Sequence, residues 1–449
     1  MHISVYPDRI NSLYMSTEVL DYFSARYDAV AGDTGVLRAF TDKSMADFRR
    51  LGLPAVKHEE WKYARVSALF RKDLSFEPAN GSITASDIDP YRLPGHEEAT
   101  ELVFVNGVFH KVLSVIRHTA EELLVLPLSE AAEGEASEFI RKNIGHSASY
   151  HPDGIQALNA AFAGDGLFMT VRKGKQVERP VYIYLIADSR HAFTFAQPRS
   201  LVHVEAAAQV HIAEHYITLG GHESFTNEVF ELVAEQDALV HYYKIQQEGP
   251  LANHVGTTHI RQKGKCLTNA VTVTLGGAMV RNNLNMIMEA EHGESHMYGL
   301  YLLEGNTLAD NHTIVDNVKP NCFSNELYKG IMDGGSTGVF NGKIFVRKDA
   351  QKTNAYQSNK NILLGDRSSA NTKPQLEIFA DDVKCSHGCT IGRLDEEALF
   401  YLRARGLSEK SARSLLLHAF AVDILDNIKL PALRSHVDGL ISERLEFNF

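Results

Sequence analysis

A strand, a short corner of polar or small residues and a second strand recur along this chain from about residue 168 onward. The unit reads SLVHV-EAAA-QVHIA near Glu205, EVFELV-AEQDA-LVHYYKI near Gln236, TTHI-RQKG-KCLTNAVTV near Lys263 and NLNMIM-EAEHG-ESHMYGL near Glu291. It returns as LYKGIM-DGGS-TGVFNGKIF near Gly334 and PQLEIF-ADDV-KCSHGC near Asp381. The strands alternate at period two and are rich in β-branched and aromatic residues. The first four corners are spaced 27 to 31 residues apart, and the later gaps are wider. Repeats of this size predict a mainly β chain built as a β-solenoid, in which each coil buries its inner face on its neighbours. A β-sandwich or jelly roll is the competing all-β architecture. The regular corner spacing favours the solenoid.

The flanks read differently. Residues 16–70 are helical in pattern, with Ser16 and Thr17 as caps and Leu20, Phe23, Tyr27, Leu37, Phe40, Met45 and Phe48 at apolar spacing. Trp61, the single tryptophan, reads as a buried anchor at a helix start. Residues 77–100 are rich in turn formers and read as a loop. Asn106-Gly107 joins strands near 102–105 and 108–112 and is a strong hairpin signal. A helical region is predicted from about 121 to 162. Helices return after Leu394, where Asp395, Glu396 and Glu397 suit a helix N-terminus, Gly406 ends a helix and Ser408 caps the next. Ala412, Leu415, Leu416, Ala419, Phe420, Val422 and Leu425 lie on or near one stripe of that helix. Such a stripe is either a cap on the solenoid or a docking face for another protein. The expected domains are 1–165, mostly helical with a hairpin; 166–393, the β core; and 394–449, helical.

With 449 residues, 44% of them hydrophobic, the chain can fill a large core. A formal charge of −11 argues against nucleic acid, which asks for a basic face. No stretch approaches the ~20 apolar residues of a membrane span, and the first residues lack a signal-peptide pattern. A cytoplasmic location and four reduced cysteines are therefore expected.

Cys385, His387 and Cys389 stand at alternate positions directly after Asp381 and Asp382. In a strand they share one face. Thiolate with imidazole suits iron, copper, zinc or an iron–sulfur cluster. Same-face neighbours lie about 6.5–7 Å apart in an extended strand, whereas Zn–S and Zn–N bonds are about 2.0–2.3 Å. A closed tetrahedral site from this strand alone would need a local bend. An open site completed by another chain fits better, with Asp381 or Asp382 as an available oxygen ligand. The plainer alternative is two half-buried cysteines and a surface histidine. Gly388 between them suggests a bulge.

Other chemical motifs fail. Gly342-Lys343 lacks both the leading glycine and the following Ser or Thr of a phosphate loop: Thr337 and Ile344 stand there. No nucleotide is expected to bind directly. The stretch from His292 through Glu294 to His296 reads as an exposed turn. Asp310 and His312 form at most a weakly indicated acid–base pair.

The run PQLEI-ADDVKCSHG followed by G-LDEE-LFYLRARG resembles the signature of the SufB/SufD proteins of the Suf iron–sulfur assembly machinery, and DDVKCSHG is similar to its SufD branch. EEWKY (59–63), VFVNGVF (103–109), ALNAAF (157–162), FTNEVFE (225–231), VFNGKI (339–344) and AQKTNAYQSNKNILL (350–364) extend the resemblance over most of the chain. The resemblance implies a right-handed parallel β-helix flanked by helical domains. It implies a non-catalytic scaffold subunit that pairs with a SufB-like chain and binds a SufC-like ABC ATPase through its C-terminal helices, here Leu399, Phe400, Leu402, Leu415, Leu416 and Phe420. A homodimer of the isolated chain stays open. Cys385 and His387 correspond to residues implicated in a transient iron–sulfur cluster shared with the partner. Cys389 departs from the small residue expected there, and is either an extra ligand or an inert thiol. A metal- or carbohydrate-acting solenoid enzyme is the alternative that architecture alone permits.

Overall fold

In the computed structural model, which describes residues 8–30, 36–55, 57–70 and 83–448, the chain winds through two ten-stranded sheets. From Leu167 onward, strands one coil apart pair in parallel within each sheet. The result is a parallel β-solenoid of about eight turns. Sandwiches and jelly rolls are antiparallel, so the pairing decides against them. Gln209, Leu239, Leu267, Glu294, Phe323, Asn354 and Lys384 stand in register, so each coil takes 27 to 31 residues.

That uniform period corrects the wider late spacing read from the sequence. The corner at Gly334 joins Phe323–Met332 to Thr337–Val346, at the opposite edge of the solenoid from the earlier corners. The equivalents of Glu205 and Gln236 are instead at 318–322 and 347–353, which carry no obvious sequence likeness. What these two share with the corners at Glu205, Gln236 and Glu291 is backbone. Ala207, Asp237, His292, Asn321 and Lys352 all adopt φ of 55° to 61°. Their amides form a ladder between coils: Ala207 N donates to Gln236 O, Asp237 N to Lys265 O and Asn321 N to Gln351 O. These hydrogen bonds offset the ~1–2 kcal/mol of a left-handed non-glycine residue.

Helices cover the outer faces. Phe23, Phe48, Trp61 and Phe70 from the N-terminal region pack with Phe195, Phe225 and Val255 of one sheet. Leu417, Ala421, Ile424, Leu433, Val437 and Ile441, from helices Glu409–Leu425 and Pro431–Asn448, pack on Val271, Val273, Leu300 and Leu302 of the other. A strand covered on both faces, such as Ser224–Ala234, is buried throughout. Beyond the helices the pattern changes. Asn354–Leu363 buries Ala355, Gln357, Asn359 and Asn361 while its outward residues are partly or fully exposed. The last two strands, Ser369–Ile378 and Lys384–Gly392, bury no residue and are the outermost strands of their sheets.

Several local expectations change. Ser16 and Thr17 lie inside the helix Asp8–Val30 and do not cap it. The region expected to be helical from 121 opens with the strand Leu123–Pro127, which pairs with Leu167–Val171, because its LLVL run completes the sheet edge. Within 77–100, a short helix Ala85–Ile88 and a turn Asp89–Tyr91 form, and residues 77–82 fall outside the described residues. Asn106-Gly107 turns the hairpin as expected, with φ of 51° and 86°.

Candidate functional site: the open end of the solenoid

Cys385, His387 and Cys389 occupy the terminal strand Lys384–Gly392. They stand in register with Ala355, Gln357 and Asn359, the buried inward-facing residues of the strand below. All three therefore face the lumen, at a mouth that no further coil among the described residues covers. Cys385 is half-buried, and His387 and Cys389 are exposed. Burial raises the Cys385 thiol pKa above its ordinary value.

The pairing from Lys384 to Gly392 is continuous, so Gly388 marks no bulge. The local bend that a closed site from this strand would need is absent, because an in-register parallel neighbour holds the strand extended. Asp381 and Asp382 sit in the corner, both exposed, and the Asp382 carbonyl accepts from Lys352 N. Among the described residues, no three His, Cys, Asp or Glu side chains converge as a ligand set. What the mouth offers is two thiols and an imidazole spread along one edge.

Beneath them the lumen is polar. Gln357 Nε2 donates to Glu326 Oε2 at 2.7 Å. Asn359 Nδ2 donates to the Tyr301 hydroxyl at 3.2 Å, which donates to Asn361 Oδ1 at 2.6 Å. Glu326 and Gln357 carry little sequence signal: the polar alternation through ELYKG and YQSNKN resembles a half-exposed strand.

The C-terminal candidates divide. Helix Glu396–Ala404, capped by Asp395 accepting from Glu397 N and Ala398 N, buries no residue. Phe400 is 74% exposed and Leu415 is 50% exposed. Leu399, Leu402 and Leu416 are half-buried. Phe420 is different: it packs against the solenoid cluster, with Lys329 Nζ 4.6 Å from its ring centroid. The stripe facing the solenoid is Leu417, Ala421, Ile424 and Leu425, rotated from the one read in sequence. Burying Leu417 and Ile424 against the sheet outweighs the alternative rotation.

Asp310 and His312 serve a seam. Asp310 pairs with buried Arg281 at 3.0 Å, and Arg281 lies over the Trp61 ring at 4.3 Å. His312 sits between Asp310 and Glu60, at 2.9 and 3.3 Å. The His312 hydrogen bond holds the Glu60 carboxyl down at about 2. The tryptophan segment is thereby fastened to the sheet. Gly342 has its own reason: a Cβ there would lie 2.3 Å from Gln357 Nε2 across the lumen. Cys266 and Cys322 are buried at corners, and burial raises the pKa of both.

An open solenoid end with two thiols and an imidazole along its edge thus lies beside a helix that buries no residue. Residues 185–420 match the family described as "SUF system FeS cluster assembly, SufBD core domain", and residues 14–183 match "SufBD protein N-terminal region". The chain is 32% identical over 406 residues to an iron–sulfur cluster assembly SufBD family protein of Synechocystis, covering 88% of each chain. It is 30% identical over 403 residues to the iron–sulfur cluster assembly protein SufD of Escherichia coli, covering 88% of this chain and 90% of that one. It is 30% identical over 394 residues to the chloroplastic protein ABCI7 of Arabidopsis thaliana, covering 83% and 82%. The chain belongs to the SufBD family. It is an iron–sulfur cluster assembly subunit rather than a catalytic enzyme. No helix among the described residues is long and apolar enough to cross a membrane.

Proposed function

We propose that this chain is the SufD-type half of a Suf scaffold. Its open solenoid end pairs with a SufB-like subunit, and Cys385 and His387 supply ligands to a nascent cluster finished by that partner. The observation that carries this reading is the placement of both residues on an uncovered, lumen-facing edge strand. Unpaired edge strands invite pairing with another chain. Ile378, Phe379 and Ile391 are exposed on the same terminal coil, which suits an apolar partner face. The region 394–449 is taken as the docking domain for a SufC-like ABC ATPase, with Phe400 and Leu415 at its centre. ATP hydrolysis belongs to that partner.

Co-purification from the source cell tests the assembly. A SufB-like chain and an ABC-type ATPase should accompany this one. Recovery of the chain only as a homodimer, with iron and sulfide unaffected by Cys385→Ser, would overturn it.

A further inference from the structure

Glu326, Gln357 and His387 stand on consecutive coils in one inward-facing file. Glu326 is 1% exposed and bound through one oxygen to the Gln357 amide. Other polar atoms of this stretch are buried without a hydrogen-bond partner among the described residues. They include Ser324 Oγ and Gln357 Oε1 on one sheet and Asn311 Nδ2 and Thr372 Oγ1 on the other, while Glu326 Oε1 has only the Thr313 hydroxyl facing it. Leaving a buried donor or acceptor unpaired costs about 1–3 kcal/mol, so several in one stretch of lumen call for a common partner. Several convergent polar groups are what buried water requires. Gly342 keeps the opposite wall open where Gln357 crosses.

Glu326 is the ionisable acid of this stretch. Tyr328 follows it on its own strand, Met297 and Gln357 flank it on the neighbouring coils, and Thr313 faces it from the other sheet. None of these is charged at neutral pH. Burial raises the Glu326 carboxyl to about 7, so both its forms are accessible there. Its strand lies two inter-strand steps, about 10 Å, below that of His387.

A thiol that takes a metal gives up its proton. With a partner over the mouth, that proton has no direct way to bulk water. We propose that the lumen between Glu326 and the mouth holds ordered water, and that Glu326 accepts the proton released when iron(II) binds at Cys385. The S–H bond breaks as the S–Fe bond forms, the proton crosses the water, and an O–H bond forms on the Glu326 carboxylate. No electron moves. Gln357 is a positioning residue that fixes the carboxylate toward the water. The acceptor role rests on the reading of Cys385 as an iron ligand; the hydrated proton site does not.

Two measurements separate these. On the isolated full chain, infrared titration should show a buried carboxyl band that disappears as pH rises through about 7 and is missing in Glu326→Gln. Its absence from the unsubstituted chain overturns the proton site. In the assembled complex, iron(II) loading is followed in time against pH. Glu326→Gln should load at least about 100-fold more slowly, at the low end of what a positioned proton acceptor supplies, and lose the inflection near pH 7, with final iron content unchanged. Gln357→Leu should slow loading in the same direction. Equal rates and equal pH profiles overturn the acceptor role. Failure of the unsubstituted complex to bind iron overturns the functional reading together with the acceptor role, while the infrared result still decides the lumen site.

Discussion

Gly342 and Gln357 share one cross-section of the solenoid: a Cβ on the first would stand 2.3 Å from the amide nitrogen of the second. The same Cβ would meet the Phe340 ring at 2.6 Å. Gly342→Ala should therefore push Gln357 away from Glu326 and strain the inner wall. A loss of about 1–3 kcal/mol is expected from overpacking. Chemical denaturation of the variant measures it, and Gly388→Ala, where a Cβ meets nothing within 4 Å, is the matched control.

Glu326 makes stability depend on pH with a definite sign. Its folded pKa, about 7, lies above the 4.5 of an ordinary glutamate. Between those values the native state binds more protons than the unfolded chain, so stability falls as pH rises. The stabilising part is complete below about pH 4.5 and lost through about pH 7, worth about 3 kcal/mol in all. Glu326→Gln should flatten the pH dependence of the denaturation midpoint across that window. A parallel slope in both proteins would contradict the burial argument.

Cys385→Ser and His387→Ala should each lower the iron and sulfide content of the assembled complex while leaving the fold intact, since both side chains sit at an uncovered edge. Cys389→Ser should have the smaller effect. Iron and sulfide assays on purified complexes decide this, with circular dichroism as the check on folding.

The proposed ATPase dock is better tested by point changes than by truncation. Removing everything after Leu394 would strip Leu417, Ile424, Leu433 and Val437 from the sheet they cover and expose its apolar face. Phe400→Asp and Leu415→Asp should instead leave stability within about 0.5 kcal/mol, as exposed positions do. They should weaken ATPase binding at least about 10-fold, on the scale of an aromatic hot spot. Calorimetric titration with the ATPase reads both affinities.

Lys329 fastens the helix Glu409–Leu425 to the solenoid. Its Nζ donates to Phe420 O at 2.8 Å and to Asp423 Oδ2 at 2.5 Å. Lys329→Met keeps the stem and removes both bonds, so about 1.5–3 kcal/mol of local stability should go. Hydrogen exchange should show faster opening of that helix, with the strands of the solenoid unchanged.

Much of this protein was written in local pattern. Period-two alternation and evenly spaced corners favoured a β-solenoid over a sandwich, because each coil can bury its inner face on its neighbours; the parallel pairing between coils decided it. Asp395, Gly406 and Ser408 marked helix ends, because capping is decided within a few residues. Asn106-Gly107 fixed a hairpin for the same reason. The alternate spacing of Cys385, His387 and Cys389 placed them on one face, since a strand has only two.

The tertiary structure decided what local pattern does not carry. The late corners at 318–322 and 347–353 were hidden because their common feature is a left-handed backbone held by inter-coil hydrogen bonds, which Asn321 and Lys352 satisfy with unlike side chains. Which of a strand's two faces turns to the lumen depends on packing, so Glu326 and Gln357 looked like surface residues until Ala355 and Asn359 placed their face inside. Phe420 and Leu415 are five positions apart on one helix, and only the sheet beneath determines that the first is held and the second left exposed.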